Sequence, residues 1–374
     1  MPKKKLGFGM MRMPLNNPND ASDVDIEQMC KMVDTFIDRG FTYFDTALMY
    51  NGGVSESVVK KVLSSRYPRE KFTVATKMHA AFFKSKEEME EIFKAQLNRT
   101  GLEYFDYYLV HGVESDMLPM YEKCDCFRWV LEKKKAGLVK HAGFSFHDTP
   151  ELLDELLNKY PEMEFVQLQI NYLDWESEWI QSKKCYDVAV KHGKQIIVME
   201  PVKGGTLANV PEDVEKLFKD ADPDASVPSW AIRFVASLPN VMVVLSGMSS
   251  LEQLEDNTGY MSDFKPLTEE EKALCFKAAK IINSNTAIPC TACEYCMGGC
   301  PKKIAIPKYF SIYNEDMREN LAEKGWTINF TNYQLLNKEF GKASDCIGCG
   351  QCEKVCPQHL PIIENLKKVA AHYE

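Results

Sequence analysis

Up to about residue 265 the chain repeats one rhythm. A short run of β-branched, aromatic and other apolar residues is followed by a longer stretch with helical apolar spacing. The short runs fall at 6–10, 42–47, 72–77, 105–112, 139–146, 165–172, 195–201 and 241–248. Helical patterns lie between them, among others at 26–38, 86–97, 124–136, 182–191 and 251–257. Strands joined through helices pair in parallel, so the pattern predicts an α/β fold with an all-parallel sheet. Eight is the strand number that closes a (β/α)8 TIM barrel. An open doubly wound sheet is the alternative, but no G-x-G-x-x-G follows the first run.

The rhythm stops after Pro266. In Leu267-Thr268-Glu269-Glu270-Glu271, Thr268 is a predicted N-cap and Glu271 its capping-box partner, with a helix running to about residue 282. Polar residues 283–286 then lead into a cysteine-rich tail. The chain therefore reads as a barrel over 1–265 and a second module over 266–374, made of a helical linker and the tail.

Composition narrows the class. Of 374 residues, 45% are hydrophobic and 26% charged, a soluble globular balance. The net charge of −9 argues against a nucleic-acid partner. Lys3-Lys4-Lys5 is followed by no apolar run, so neither a signal peptide nor a membrane span is expected, and the expected location is cytoplasmic. Of 13 cysteines, eight lie beyond residue 289. In such a compartment clustered cysteines point to metal rather than to disulfides.

The tail reads Cys290-x2-Cys293-x2-Cys296-x3-Cys300-Pro301 and then Cys346-x2-Cys349-x2-Cys352-x3-Cys356-Pro357. Each run is the bacterial ferredoxin spacing with its trailing proline. Three thiolates at x2 spacing wrap one corner of a cubane, and the fourth faces away toward the other cluster. By that logic Cys290, Cys293, Cys296 and Cys356 hold one [4Fe-4S] cluster, and Cys346, Cys349, Cys352 and Cys300 hold the second. Structural zinc would call for separated C-x2-C pairs and gives no reason for two matching runs of four. About 45 residues separate the runs, which favours a helical ferredoxin-like module over a compact one.

A barrel builds its active site at the C-terminal ends of its strands. Asp45 closes the second run with Tyr50 five residues on, Lys77 closes the third and His111 the fourth. Ser145, Gln169 with Asn171, Glu200 and Ser246 stand at the ends of the later ones. A lone histidine after apolar residues is usually a satisfied core group. Four such residues on successive strand ends form a proton-donor set. In it a lysine cation beside Tyr50 is expected to lower the phenol's pKa, with Asp45 holding the lysine and His111 orienting a carbonyl.

These residues, with Gly7-Phe8-Gly9, Phe44-Asp45-Thr46-Ala47, Ala75-Thr76-Lys77, Tyr108-Leu109-Val110-His111, Gly143-Phe144-Ser145, Gln169-Ile170-Asn171-Tyr172 and Asp256-Asn257, make the chain resemble the aldo-keto reductase superfamily over about 5–260. The tail and Glu200-Pro201-x-x-Gly204-Gly205 narrow the resemblance to its iron–sulfur-bearing branch. The resemblance implies an NADP- or NAD-dependent oxidoreductase that interconverts a carbonyl and an alcohol, with Asp45, Tyr50, Lys77 and His111 as catalytic tetrad. It implies cofactor contacts from Gly9, Met10, Arg12, Ser145, Gln169, Glu200, Lys203, Gly204, Ser246, Gly247, Gln253 and Asn257. Three departures from the family pattern stand out: Phe146 replaces an asparagine, Glu200 an aromatic, and Gly247 with Gln253 basic residues. Arg12 and Lys203 are the replacement cations, with Ser249-Ser250 at a helix start for phosphate. Tyr172, Trp175 and Trp179 are pocket or core residues. The expected partners are a small carbonyl or alcohol substrate and a redox protein. Two rival readings stand beside this one: an electron-transfer protein whose barrel is a platform, and a flavin-using reductase.

Overall fold

The computed structural model describes residues 4–177, 180–284, 286–318 and 327–374; Trp179 lies outside them. The chain forms two compact units. The first contains a closed barrel of eight parallel strands in sequence order: β1 Leu6–Gly9, β2 Tyr43–Asp45, β3 Thr73–His79, β4 Phe105–Val113, β5 Val139–Phe146, β6 Phe165–Gln169, β7 Gln195–Met199 and β8 Val241–Ser246. Every predicted run yields one strand. The predicted helix over 124–136 is found as Cys126–Lys135, and a short helix, Leu118–Lys123, precedes it, with Asp125 in a left-handed backbone (φ 53°) between them.

The barrel interior is filled from alternate positions on different strands: Tyr43, Ala75, Tyr107, Leu109, Phe165, Ile197, Val243 and Leu245. Tyr107 packs its ring against Tyr43 at 5.2 Å and Phe165 at 5.3 Å. Side chains two apart share a strand face. Asp45 therefore follows Tyr43 inward, Lys77 follows Ala75, and His111 follows Leu109. The pleat that builds the core also delivers the polar residues to its upper end. Register aligns them, with Asp45 beside Ala75, Lys77 beside Leu109, and His79 beside His111.

On the other face of β3 a buried polar network fixes the strand. Glu56, fully buried, accepts from Thr76 Oγ1 at 2.8 Å, Gln96 Nε2 at 2.7 Å and Arg99 Nε at 2.8 Å. Gln96 Nε2 also donates to the Lys77 carbonyl at 2.9 Å, and Tyr108 donates to Gln96 Oε1 at 2.6 Å. The network ties helix Lys86–Thr100 to β3 and pins Lys77 from behind.

The second unit comprises 177–180, 202–227 and 273–374. It therefore differs from the expected 266–374 module by drawing in the segment that follows β7. Helix Glu269–Ser284 begins with the predicted capping box: Thr268 N donates to Glu271 Oε2 at 2.7 Å and Glu271 N to Thr268 Oγ1 at 3.2 Å. The tail adds helices Ile306–Arg318, Ile328–Leu336, Gln351–Lys354 and Ile362–Tyr373. Their core joins Ile304, Ile306, Tyr309, Phe310, Tyr333, Leu366 and Val369 with Cys296 and Cys352. No described helix is long and apolar enough to cross a membrane.

Removing one partner from a buried charge pair leaves the other uncompensated. Glu56→Ala is therefore expected to lower the barrel's unfolding free energy by about 3 kcal/mol. Urea unfolding of the anaerobic protein, followed by tryptophan fluorescence, measures it. A loss under about 1 kcal/mol would place Glu56 with ordinary exposed ion pairs instead.

Candidate functional site

In the first unit the four predicted strand-end residues converge. Asp45 and Lys77 are almost wholly buried (2% and 1% exposed). The Lys77 ammonium donates to Asp45 Oδ1 and, at 2.8 Å, to the Thr46 carbonyl. Tyr50 stands on the turn after β2, where Asn51, Gly52 and Gly53 all have positive φ, and its ring centroid lies 4.8 Å from Lys77 Nζ. His111 meets Tyr50 edge-on at 5.9 Å. Its carbonyl accepts from Tyr121 Oη, which itself accepts from Ala80 N at 3.0 Å.

Burial works against both charges of the ion pair, pushing Asp45 up and Lys77 down, and each restrains the shift of the other. Tyr50 departs from the sequence expectation. Its pKa is raised well above the ordinary value, first by burial and then by the carboxylates of Asp45 and Glu200. Lys77 does not reverse this, because its charge is engaged by Asp45 and the Thr46 carbonyl. Tyr50 is thus a phenol that keeps its proton. His111 is driven well below its ordinary value by burial and then by Lys77, His79 and His147, so it is neutral.

His79 is a site residue that the sequence reading missed. It lies two positions beyond Lys77, on the same strand face, and its ring meets His111 edge-on at 5.4 Å. Its Nδ1 accepts from Ala81 N at 3.1 Å, and burial lowers its pKa, so the neutral ring carries its proton on Nε2. Room for it comes from Gly112 (φ +64°), where a Cβ would stand 3.4 Å from the His79 ring, at a register shift between Val110 and Val113 in β4. The period-2 pattern was the signal that could have found His79.

The expected cofactor contacts form two groups in this unit. Ser145 Oγ accepts from Gly112 N at 2.7 Å. Gln169 Nε2 and Asn171 Nδ2 both donate to Asp174 Oδ2, at 3.0 and 2.9 Å, and Asn171 Nδ2 also reaches the Glu200 carbonyl at 3.1 Å. Asp174 is a buried carboxylate that the sequence reading did not single out. Phe146 is buried against Phe144, and Glu200 has a left-handed backbone (φ 56°). The other group gathers where β1 meets β8. A Cβ on Gly9 would lie 3.3 Å from the Ser246 carbonyl, and one on Gly247 would lie 3.2 Å from Arg12 Cβ. Ser249 Oγ donates to the Arg12 carbonyl at 2.8 Å, Ser249 N to Gln253 Oε1 at 2.7 Å, and Asn257 Nδ2 to Ser246 Oγ at 3.0 Å. Met10 is fully buried, its N donating to the Asp45 carbonyl at 2.8 Å.

Lys203 and Gly204, expected with these residues, belong to the second unit. Lys203 Nζ donates to Gln358 Oε1 at 2.8 Å, and a Cβ on Gly204 would stand 2.4 Å from the Thr291 carbonyl. The tail's cysteines surround two cavities of similar size. One is lined by Cys290, Cys293, Cys296 and Cys356; the other by Cys300, Cys346, Cys349 and Cys352. Left-handed backbone at Ala292, Glu294, Gly348 and Gly350 winds the x2 spacers. Isoleucines line both cavities, and burial pushes the thiols of Cys290 and Cys352 up to about 11 and Cys296 up to about 12. Thiols so disposed become thiolates when a metal takes the proton's place. Four sulfurs set round an apolar cavity suit a cubane cluster.

Three comparisons bear on the chain. The family model described as "Aldo/keto reductase family" matches residues 5–280, and the model described as "4Fe-4S dicluster domain" matches residues 289–360. Among curated relatives, the uncharacterized oxidoreductase YqkF of Bacillus subtilis is 25% identical over 277 residues, covering 65% of this chain and 85% of its own. The NADH-specific methylglyoxal reductase of Escherichia coli is 24% identical over 302 residues, covering 69% and 90%. Among solved structures, the holo form of aldo-keto reductase AKR11C1 from Bacillus halodurans superposes with a TM-score of 0.60 at 27% identity, covering 73% of this chain and 91% of that one.

Burial and the neighbouring cations make His111 resist protonation where an ordinary histidine, with a midpoint near 6.5, takes up its proton. Nitrogen-15 NMR of the imidazoles, with the His111 signal identified by His111→Gln, is expected to show a neutral ring from about pH 8 to about pH 6. A protonation midpoint inside that window would contradict the electrostatic description of the site.

Proposed function

Because the chain belongs to the aldo/keto reductase family and carries a 4Fe-4S dicluster domain, we propose that its barrel interconverts a small carbonyl compound and its alcohol with NADPH or NADH, and that its tail holds two [4Fe-4S] clusters. One observation carries the reading of the barrel: a buried ammonium between Asp45 and the Tyr50 ring, with neutral His111 against the same ring. A dihydronicotinamide, when bound, would supply hydride for the carbonyl carbon. Negative charge then develops on the substrate oxygen, and Tyr50 donates its phenolic proton there. His111 donates a hydrogen bond to the same oxygen and orients it. Lys77 stabilises the phenolate left on Tyr50, and Asp45 keeps Lys77 charged and in place. In the reverse direction Tyr50 takes the proton back from the alcohol.

Ser145 and Gln169 are the proposed holders of the nicotinamide end, braced by the Gly112 amide and by Asp174. Phosphate is proposed to rest at the N-terminus of helix Leu251–Ser262, beside Arg12. Gly247 and Gln253 offer no charge to a 2′-phosphate, so Arg12 alone of these three would favour NADPH. A seat that accepts NADH as well is consistent with the name of the E. coli relative. For the tail, the two cavity linings support the crossed ligand sets: Cys290, Cys293, Cys296 and Cys356 for the first cluster, and Cys346, Cys349, Cys352 and Cys300 for the second. The clusters would relay electrons to a redox partner or hold the small unit together.

General acid catalysis contributes about 10²–10⁴-fold, so Tyr50→Phe is expected to slow carbonyl reduction by that factor while nucleotide affinity stays within about twofold. Stopped-flow nucleotide oxidation with a carbonyl panel, together with fluorescence titration of the nucleotide, separates the two. Turnover at the wild-type rate would refute the assignment of Tyr50.

Protein purified under argon is expected to be brown and to contain about eight irons per chain. Cys293→Ala should lower the iron content by about half, read by iron analysis and by EPR of the reduced protein. Anaerobically reconstituted protein that retains zinc alone would overturn the cluster assignment.

A further inference from the structure

Within the second unit the two cysteine sets differ in how they meet solvent. Cys349 is exposed, whereas Cys290, Cys293, Cys296 and Cys356 are all buried or half-buried. Ile347, between Cys346 and Cys349, is 61% exposed although it lines the same cavity as they do. Gly348 and Gly350 have positive φ (67° and 73°), and a Cβ on either would meet nothing within 4 Å. A lone exposed isoleucine is ordinary on a protein surface. Here it shares one open turn with an exposed ligand sulfur, so the second centre lies behind a thin layer of side chains.

Lysines border this turn. Ile304 and Gly341 form a parallel bridge, and Gly341 N donates to the Lys303 carbonyl at 3.2 Å. A Cβ on Gly341 would stand 2.2 Å from the Lys302 carbonyl. The segment leaving Cys300 is thus pressed against the segment that leads to Cys346, and Lys308 Nζ, 4.9 Å from the Phe340 ring, joins them again. These two segments, 300–308 and 338–349, carry Lys302, Lys303, Lys308, Lys338 and Lys342 against only Glu339 and Asp345. All five lysines are exposed, and Lys302 itself lines the cavity. Asp345 accepts from Lys342 N at 2.8 Å, and Glu374 faces Lys342 as well, so the positive edge is the Lys302–Lys303 pair that follows Cys300. The run 290–299 at the first centre has a single charged residue, Glu294, and the whole chain has a net charge of −9. Positive charge is therefore a local property of the second centre's exposed side.

We propose that Ile347, Cys349 and the Lys302–Lys303 edge form the docking face for an acidic one-electron carrier protein, which exchanges electrons with the second cluster there. The proposal rests on the ligand sets given under Proposed function. One electron passes between the carrier's prosthetic group and the cluster, so one is oxidised as the other is reduced, and no bond is made or broken. Such encounters need only a small interface. An apolar contact at Ile347 gives it a centre, and the lysine rim aligns an acidic partner before contact. Two copies of this chain meeting face to face would set lysine against lysine, which disfavours a symmetric pair as the occupant.

The experiment uses the full chain purified under argon with about eight irons, and flavodoxin, an acidic FMN protein, as the probe. Calorimetric titration of oxidised flavodoxin into the oxidised chain gives the affinity. Raising the ionic strength from about 0.01 M to about 0.15 M shortens the screening length from about 30 Å to about 8 Å, and binding should weaken by at least about tenfold. Lys302→Glu with Lys303→Glu should weaken it by at least about tenfold at the lower ionic strength. Lys60→Glu with Lys61→Glu, an equal change of net charge on exposed lysines of the first unit, should leave it within about twofold. Stopped-flow transfer from reduced flavodoxin, followed by cluster bleaching, should slow in step with the affinity. Affinity that ignores salt, survives the reversal at Lys302 and Lys303, or falls equally in both double variants overturns the proposal. A wild-type dimer in sedimentation that the same reversal dissolves would also overturn it, by giving the face to a second copy. Should the reversal lose iron, Lys302→Gln with Lys303→Gln serves instead, with binding expected to weaken by at least about threefold and an unchanged affinity overturning the proposal. Wild-type protein without two four-iron EPR signals would refute the ligand assignment itself, a distinguishable failure.

Discussion

The first unit is organised around a charge in a place that disfavours charge. Lys77 and Asp45 stand at the top of an apolar barrel core, both almost wholly shielded from water. Desolvation costs each ion several kcal/mol, and only close pairing with further hydrogen bonds offsets it. The surrounding structure supplies both. The pleat of β2 and β3 brings carboxylate and ammonium into contact, and the Thr46 carbonyl takes a second ammonium proton. Behind the strand, Gln96 holds the Lys77 carbonyl, and Glu56 accepts from both Gln96 and Arg99 of the same helix. An ion pair so constrained cannot rotate toward solvent. That is what lets the Tyr50 ring rest against the ammonium at 4.8 Å and keep its proton in a site lined by carboxylates.

The second unit meets the same problem with sulfur. Cys296 and Cys352 are members of its hydrophobic core, and burial alone would keep their thiols protonated. A metal cluster changes the balance, because it converts four thiols into ligands and takes the place of their protons. Metal binding and folding are one free-energy term in such a module.

How much of this was legible depended on whether the signal was local. The strands were legible because the alternation of short apolar runs and helical stretches is a local pattern, and Asp45, Lys77 and His111 were legible because each closes such a run. The cysteine sets were legible from spacing alone. Other features were decided by contacts distant in sequence. Nothing local announced the short helix Leu118–Lys123, which the left-handed Asp125 sets off from the predicted one. His79 is one alternation beyond Lys77, but only the neighbouring strand shows that it faces His111. Asp174 became a site residue by accepting from two amides. The direction of the Tyr50 shift depended on burial and on Lys77 being engaged elsewhere, neither of which a list of nearby residue types contains. A boundary drawn along the chain could not assign 202–227 to the tail's unit, because that assignment is made by packing on residues almost a hundred positions later.

The chemistries proposed for the two units differ in electron count, and this would constrain how they cooperate. Hydride transfer moves two electrons at once, whereas a [4Fe-4S] cluster normally takes one. An intermediary able to split the pair is required between them, and flavin is the usual one. Within residues 5–280, which match the aldo/keto reductase family, a splitting cofactor would bind in the barrel, where Phe146 and Glu200 depart from the family pattern; otherwise it would arrive on another protein.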